Sequence, residues 1–195
     1  MLRKTTLLSF ALVLVPFAMI LGISGCGGDD DDDDGPGLIE EGWDLFVAED
    51  HEGAKAKFEE ALTIEPITAD VSAEANVGLG WVHGKLLNLQ ESIASFQSAL
   101  AEDSQNADAH AGLALAYLAD DKYDQAIASS DQALAIDPNY SFGATGITEQ
   151  DLRVVLAESY YYKGDFEEAA IAIGVPEGLS PAELLKEIEA ASGGQ

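Results

Sequence analysis

Few side chains in this sequence have the types and spacing that chemistry requires. Cys26 is the single cysteine. A lone thiol cannot form an internal disulfide, so its uses are nucleophilic attack as a thiolate or consumption by modification. The three histidines, His51, His83 and His110, never stand at the i, i+4 spacing that places two ligands on one face of a zinc helix. Asp30, Asp32, Asp34, Gly35 and Glu41 match the spacing of a calcium loop. An unbroken run from Asp29 to Asp34 satisfies any aspartate pattern, however, and Pro36 and Gly37 suit the loop poorly, so calcium is not expected. The carboxylate pairs Glu59-Glu60 and Glu167-Glu168 fall on outward faces of helical patterns, where solvation rather than acid–base chemistry is their ordinary role. No Gly-x-Ser-x-Gly elbow and no phosphate-binding glycine loop occurs. The expectation is no catalytic residue, no metal and no cofactor: the protein is not an enzyme.

Cys26 gains meaning from what precedes it. Arg3 and Lys4 open the chain, and an apolar run follows, interrupted by Ser9 and Pro16. A basic start, an apolar stretch and small residues are the parts of a secretory signal. A bilayer-spanning helix needs about 20 apolar residues, which this run lacks. Ile23-Ser24-Gly25-Cys26 resembles the signal of bacterial lipoproteins, an aliphatic residue and two small ones before the cysteine that is lipidated. The resemblance implies cleavage after Gly25, removal of residues 1–25, and Cys26 as an acylated N-terminus with two or more chains, enough for stable membrane anchoring. Residues 26–37, with Gly27-Gly28, the aspartates and Gly35-Pro36-Gly37, form an acidic flexible linker. Like charges extend such a chain, and residues 27–37 reach at most about 36 Å. In a Gram-negative cell, Gly27 after the cysteine is similar to lipoproteins sent to the outer membrane. The expected location is the cell envelope, on a membrane surface.

Charge excludes other partners. Nine basic against 36 acidic residues give a formal charge of −27. Phosphate binding rests on Lys and Arg, so nucleic acid is not a partner, and anionic lipid headgroups are disfavoured. Solubility through self-repulsion and a saline habitat account for such a surface, as does a basic partner.

The elements that must position any site come from a repeat. Gly42, Gly80, Ala114 and Ala157 recur, each followed three residues later by Leu45, His83, Tyr117 and Tyr160. Ala54, Ser92, Ala126 and Ala169 come next, then Phe58, Phe96, Ser130 and Ile173. Ala61-Leu62, Ala99-Leu100 and Ala133-Leu134 follow, and Pro66 and Pro138 close two units. Small residues let paired helices approach, large ones fill the gaps, and proline stops the second helix. This pattern resembles the tetratricopeptide repeat, whose period is about 34 residues. Units fall at 35–68, 73–106 and 107–140, with 69–72 inserted, and a fourth begins at Gln150 after an insert at 141–149. The fourth lacks the Ala-Leu pair, and Gly174 to Gly178 cut it short. Ser180-Pro181 opens an amphipathic helix with Leu184, Leu185 and Ile188 on one face, suited to capping the stack. His83 and His51 align with aromatic packing positions.

The predicted fold is all-α, a tetratricopeptide-type α-solenoid of about four helical hairpins with a C-terminal capping helix. The repeat domain spans 38–191, and 192–195 form a disordered tail. Helices are expected over 38–49, 52–64, 72–86, 89–102, 107–119, 123–136, 149–162, 165–173 and 181–191. Thr148 with Asp151 reads as a helix-start pair, and no stretch alternates as a strand would.

The tetratricopeptide resemblance implies that the first helix of each unit lines a concave groove. Ile39, Val77, Ala111 and Val154 face it, then Trp43, Trp81, Leu115 and Glu158, then Phe46, Gly84, Leu118 and Tyr161, with Lys85 as its main cation. Such an apolar, aromatic trough suits an amphipathic helix or an extended peptide of a protein partner. Trp81, as a hot spot, should then be replaceable by alanine with loss of capture and without unfolding. The other reading is that these side chains pack against the next helix, the 141–149 insert or the last helix. The apolar lining refuses the carboxylate clamp of chaperone-binding relatives. The implied function is an interaction scaffold of the envelope, in assembly, secretion, pilus biogenesis or peptidoglycan work. An alternative is a ligand-holding accessory of a transport system, which needs a closed pocket near Trp43 and Trp81.

Overall fold

The computed structural model describes residues 35–193. Cys26, the signal sequence, the aspartate run and the last two residues lie outside the described residues. Among the described residues there are nine helices and one small β-hairpin: α1 Gly35–Val47, α2 His51–Ala61, α3 Ala69–Lys85, α4 Leu89–Glu102, α5 Ala107–Ala119, α6 Tyr123–Ile136, β1 Ser141–Phe142, β2 Ile147–Thr148, α7 Glu149–Lys163, α8 Phe166–Ala172 and α9 Pro181–Gly193. Helices pair in order, α1 with α2, α3 with α4, α5 with α6 and α7 with α8, and α1, α3, α5 and α7 lie side by side. The α9 helix packs on α7 and α8. This is the all-α solenoid of four helical hairpins and a C-terminal helix.

The repeat is written in the turns. Glu49, Leu87, Asp121 and Gly164 hold positive φ of 64, 61, 58 and 90° at the same place in each unit. One residue later, the N–H groups of Asp50, Asn88, Lys122 and Asp165 donate to the carbonyls of Leu45, His83, Tyr117 and Tyr160 at 2.8–2.9 Å. A left-handed residue with that long return bond closes a helix by satisfying its orphan carbonyls. The chain then reverses into the second helix, and the four hairpins share one geometry.

Between units, ring and glycine fit together. Phe58, from α2, lies against Gly42 of α1 and Gly78 of α3, so that a Cβ at Gly78 would meet its ring at 2.4 Å. Phe96, from α4, repeats this against Gly80 and Gly112, where a Cβ would stand 2.1 Å from the ring. Both rings are buried. The next junction has Ala114, Ser130 and Val155 in the corresponding places, all buried. Bulk has moved from the second helix to the following first helix. Ser92 completes the second unit by donating its hydroxyl hydrogen to the Gly80 carbonyl at 2.8 Å.

Several boundaries differ from the sequence expectation. Gly35-Pro36-Gly37, assigned to the linker, form the first turn of α1. Proline at a helix start loses no needed hydrogen bond and has its φ already set. Residues 69–72, expected as an insertion, are the first turn of α3; the Thr68 hydroxyl accepts from the Val71 N–H at 3.3 Å. The α9 helix continues to Gly193, into the segment expected as tail. The insert before α7 holds the two-residue strands, too short to show alternation in sequence. At α7 the expected pair is present: the Thr148 N–H and hydroxyl both donate to Asp151 Oδ2, at 2.8 and 2.7 Å. Ser180 does the same to Glu183 at the start of α9, at 2.9 and 2.6 Å.

Candidate functional site: the concave face and its own plug

The α1, α3, α5 and α7 helices supply the face that the repeat pattern assigned to the groove. At its N-terminal end that face is filled by the chain itself. Phe142, on the β-hairpin between α6 and α7, sits edge-on against Trp43 at 5.0 Å between centroids and tilted against Trp81 at 6.3 Å. Trp43 also meets Phe46 and Phe58 edge-on, and Trp81 meets Phe96 at 5.4 Å. Such edge contacts are the favoured geometry for aromatic pairs.

The hairpin reaches there because both of its ends are tied down. Tyr140 is buried at its base, and the Glu149 N–H donates to the Tyr140 carbonyl at 2.8 Å. The Tyr140 hydroxyl faces Asp108 on α5. Burial, with the Asp108 charge adding to it, raises the phenol far above its usual range. Asp108 is raised too, first by burial. Ser141 pairs with Thr148 and Phe142 with Ile147. Gly146, at φ 74°, turns the tip, and its N–H donates to the Phe142 carbonyl at 2.9 Å.

Of the predicted groove residues, Ile39, Phe46, Val77 and Trp81 are buried, at 3–4% exposure. They belong to the core and offer no docking surface in this arrangement. Trp81 is therefore not an exposed hot spot, and its truncation should unfold the domain rather than spare it. The physical reason is packing within the stack, where all four join one core cluster with Phe58 and Phe96, and at Trp81 the insert adds the Phe142 ring. Trp43, Leu115, Leu118, Glu158 and Tyr161 are half-buried. Lys85 places its ammonium 5.9 Å from the centre of the Phe46 ring, and burial lowers its pKa. Glu158 is raised by burial. Tyr161 meets Phe166 of α8 edge-on at 5.4 Å.

His51 and His83 take packing positions, whereas the His110 ring Nε2 lies 3.3 Å from the Ser104 carbonyl oxygen. His51 tilts against Phe46 at 5.5 Å. His83 is lowered first by burial and then by the Lys55 charge. Glu41, the last acid of the calcium-like pattern, bonds Lys57 at 2.7 Å. No three His, Cys, Asp or Glu among the described residues are grouped to hold a metal ion. No described helix is long and apolar enough to cross a membrane.

A pocket does lie beside Trp81, lined by Gly80, Gly84, Leu89, Phe96, Gly112 and Leu115, but its volume is only about 30 Å³. Small-molecule sites run to about 300–1,000 Å³. The closed ligand site that the transport reading requires is not present there. Nothing in the spacing of residues marked Phe142 as the side chain joining the two tryptophans, beyond the insert's length and its one large aromatic close to Tyr140.

A stacked series of helical hairpins whose first helices share one face defines a helical-repeat protein. Residues 77–141 match the tetratricopeptide repeat family model, so the repeat type read from the spacing holds for the second and third units. Solved structures carry the likeness along the chain. The MamA crystal structure aligns over 85% of this chain and 84% of its own at 20% identity, TM-score 0.61. A thermophilic TPR protein of Thermus thermophilus aligns over 82% and 83% at 18% identity, TM-score 0.57. An O-GlcNAc transferase of Thermobaculum terrenum aligns over 71% of this chain at 21% identity, TM-score 0.59, but over only 24% of its own length. The likeness is therefore to a part of that enzyme. At these identities it establishes the fold. No curated protein matches the sequence.

Proposed function

We propose that this protein is a docking scaffold of the bacterial cell envelope, held on a membrane by acylated Cys26 and without chemistry of its own. A helix or peptide of another protein lies along the part of the concave face that the hairpin leaves open, against Leu115, Leu118, Glu158 and Tyr161. The observation that carries this reading is the seat of Phe142. An extended segment bearing one aromatic side chain is already held on this face, which is the mode of contact a partner's anchor would use further along it. Nucleic acid remains excluded by charge.

Two experiments test the two halves. Metabolic labelling with a fatty acid should mark the wild type and not Cys26→Ser, with the variant released from membranes. Equal labelling would remove the anchor. A photo-reactive residue at Leu118, in the native cell, should cross-link a discrete protein partner, and Leu115→Arg should abolish the adduct while leaving the helical signal intact. An unchanged adduct would move docking away from this face.

A further inference from the structure

The C-terminal end of the stack carries a cleft that the repeat pattern does not account for. It is lined by α8, the connection after it and the start of α9, and has a volume of about 440 Å³. Phe166 and Ala170 of α8, Leu179 of the connection and Leu184 of α9 form its apolar walls, and Glu167 and Glu177 stand in it as carboxylates. Leu184 and Ala170 are buried, whereas Glu167 and Glu177 are exposed. Phe166 and Ile171 on the same short helix are exposed at 37% and 60%. Tyr161 joins the cleft to the open end of the concave face through its edge contact with Phe166.

The cleft exists because the fourth unit is truncated. The α8 helix stops at Ala172, and Gly174 and Gly178, both at positive φ, turn the chain away. The second helix of a full unit would continue over this ground. Instead α9 covers only part of it, seating Leu184 and Ile188.

An apolar floor rimmed by carboxylates selects its occupant. A second copy of this chain would bring a formal charge of −27 against like charge. Anionic lipid would be repelled in the same way. A plain apolar ligand would use the apolar walls alone and gain nothing from Glu167 and Glu177, which stand exposed at the rim. A segment that pairs a large apolar side chain with lysine or arginine satisfies both features, because the long stems of those residues cover apolar surface while their charged ends stay at the rim. Acidic charge around such a cleft also speeds the encounter with a basic partner.

We infer that the cleft between α8 and α9 is the docking point for a basic, apolar segment of a partner protein, with its apolar side chain seated among Phe166, Leu179 and Leu184 and its cations on Glu167 and Glu177. This rests on the docking reading above and names the chemistry of the partner. The test uses a synthetic peptide of alternating leucine and lysine with one phenylalanine, and the same peptide with glutamate for lysine, measured by fluorescence anisotropy. The basic peptide should bind and the acidic one should not. Glu167→Lys with Glu177→Lys should weaken binding roughly tenfold. Glu40→Lys with Glu102→Lys, a matched reversal on exposed positions of α1 and α4, should leave it unchanged. Equal loss in both pairs would reduce the effect to general charge attraction and overturn the inference, as would binding of the acidic peptide. Photo-cross-linkers placed separately at Phe166 and Leu118 in the native cell separate this claim from its parent. Capture from Leu118 without capture from Phe166 removes the cleft and keeps the scaffold; capture from neither removes both.

Discussion

Between α1 and α5 each junction of units is filled by a phenylalanine ring set against paired glycines, whereas between α7 and α9 it is filled by small residues and two aliphatic side chains from the last helix. Phe58 and Phe96 close their junctions so tightly that no added methyl fits at Gly78 or Gly112. At the other end Ala157, Ala169, Ala170, Leu184 and Ile188 form a separate small core, beside a cleft and exposed Phe166 and Ile171. The hairpin adds to the contrast, since Phe142 covers the tryptophans of the first two units. One repeat geometry can thus serve two ends of a stack differently. Rings on glycine make a tightly packed, self-filled end; truncation leaves an end with a cleft and apolar surface to offer.

The largest effects should come from the ring-filled end. Phe96→Ala should cost about 3–5 kcal/mol and lower the whole denaturation curve, because the ring touches α3 and α5 together. Leu184→Ala should cost about 2–5 kcal/mol yet loosen only α8 and α9, seen as faster amide exchange confined to those helices. Equal loss of protection along the chain would break the contrast between the ends.

Electrostatics gives a smaller effect. Burial raises the Glu158 carboxyl above its usual value, so the folded state holds that proton more tightly than the unfolded chain. Ionisation therefore opposes folding, and the penalty grows as pH rises from the unfolded value of about 4.3 through the raised folded value. Glu158→Gln should raise the melting temperature at pH 7 and leave it unchanged well below pH ~4. A benefit that persists in acid would mean that half-burial of the Glu158 carboxylate is not what opposes folding.

The smallest effect lies in the turns. Leu87 holds φ 61° and is exposed at 70%, where a side chain gains little and the left-handed backbone costs about 1–2 kcal/mol. Gly164 already occupies the matching place in the fourth unit. Leu87→Gly should gain up to about 1 kcal/mol in chemical denaturation. A loss would show that Leu87 makes a contact worth more than the strain.

Much of this was legible in the residues. The spacing of Gly42, Gly80, Ala114 and Ala157 marked the hairpins, and α4, α5 and α6 begin and end where the pattern placed them. Helix signals are local, so they survive in the chain alone. The residues named the 141–149 insert as one of three possible covers for the groove but could not choose it, because Phe142 meets Trp43 from three units further along the chain and no local period encodes that contact. The same spacing that placed Trp43 and Trp81 on one face could not say what would cover them. The truncation at Gly174 was legible, but the cleft was not, since it depends on how far α9 reaches across α8.

The chain plugs the aromatic end of its own concave face with Phe142. Trp43 and Trp81 are its only tryptophans, so quenching of intrinsic fluorescence by acrylamide in the wild type and in Phe142→Ala reads that end directly. Emission should be shielded and blue-shifted in the wild type and should gain clearly in quenching, with a red shift, in the variant, while the helical circular dichroism is retained. Tryptophans already open to quencher in the wild type, and unchanged in the variant, would contradict plugging by Phe142.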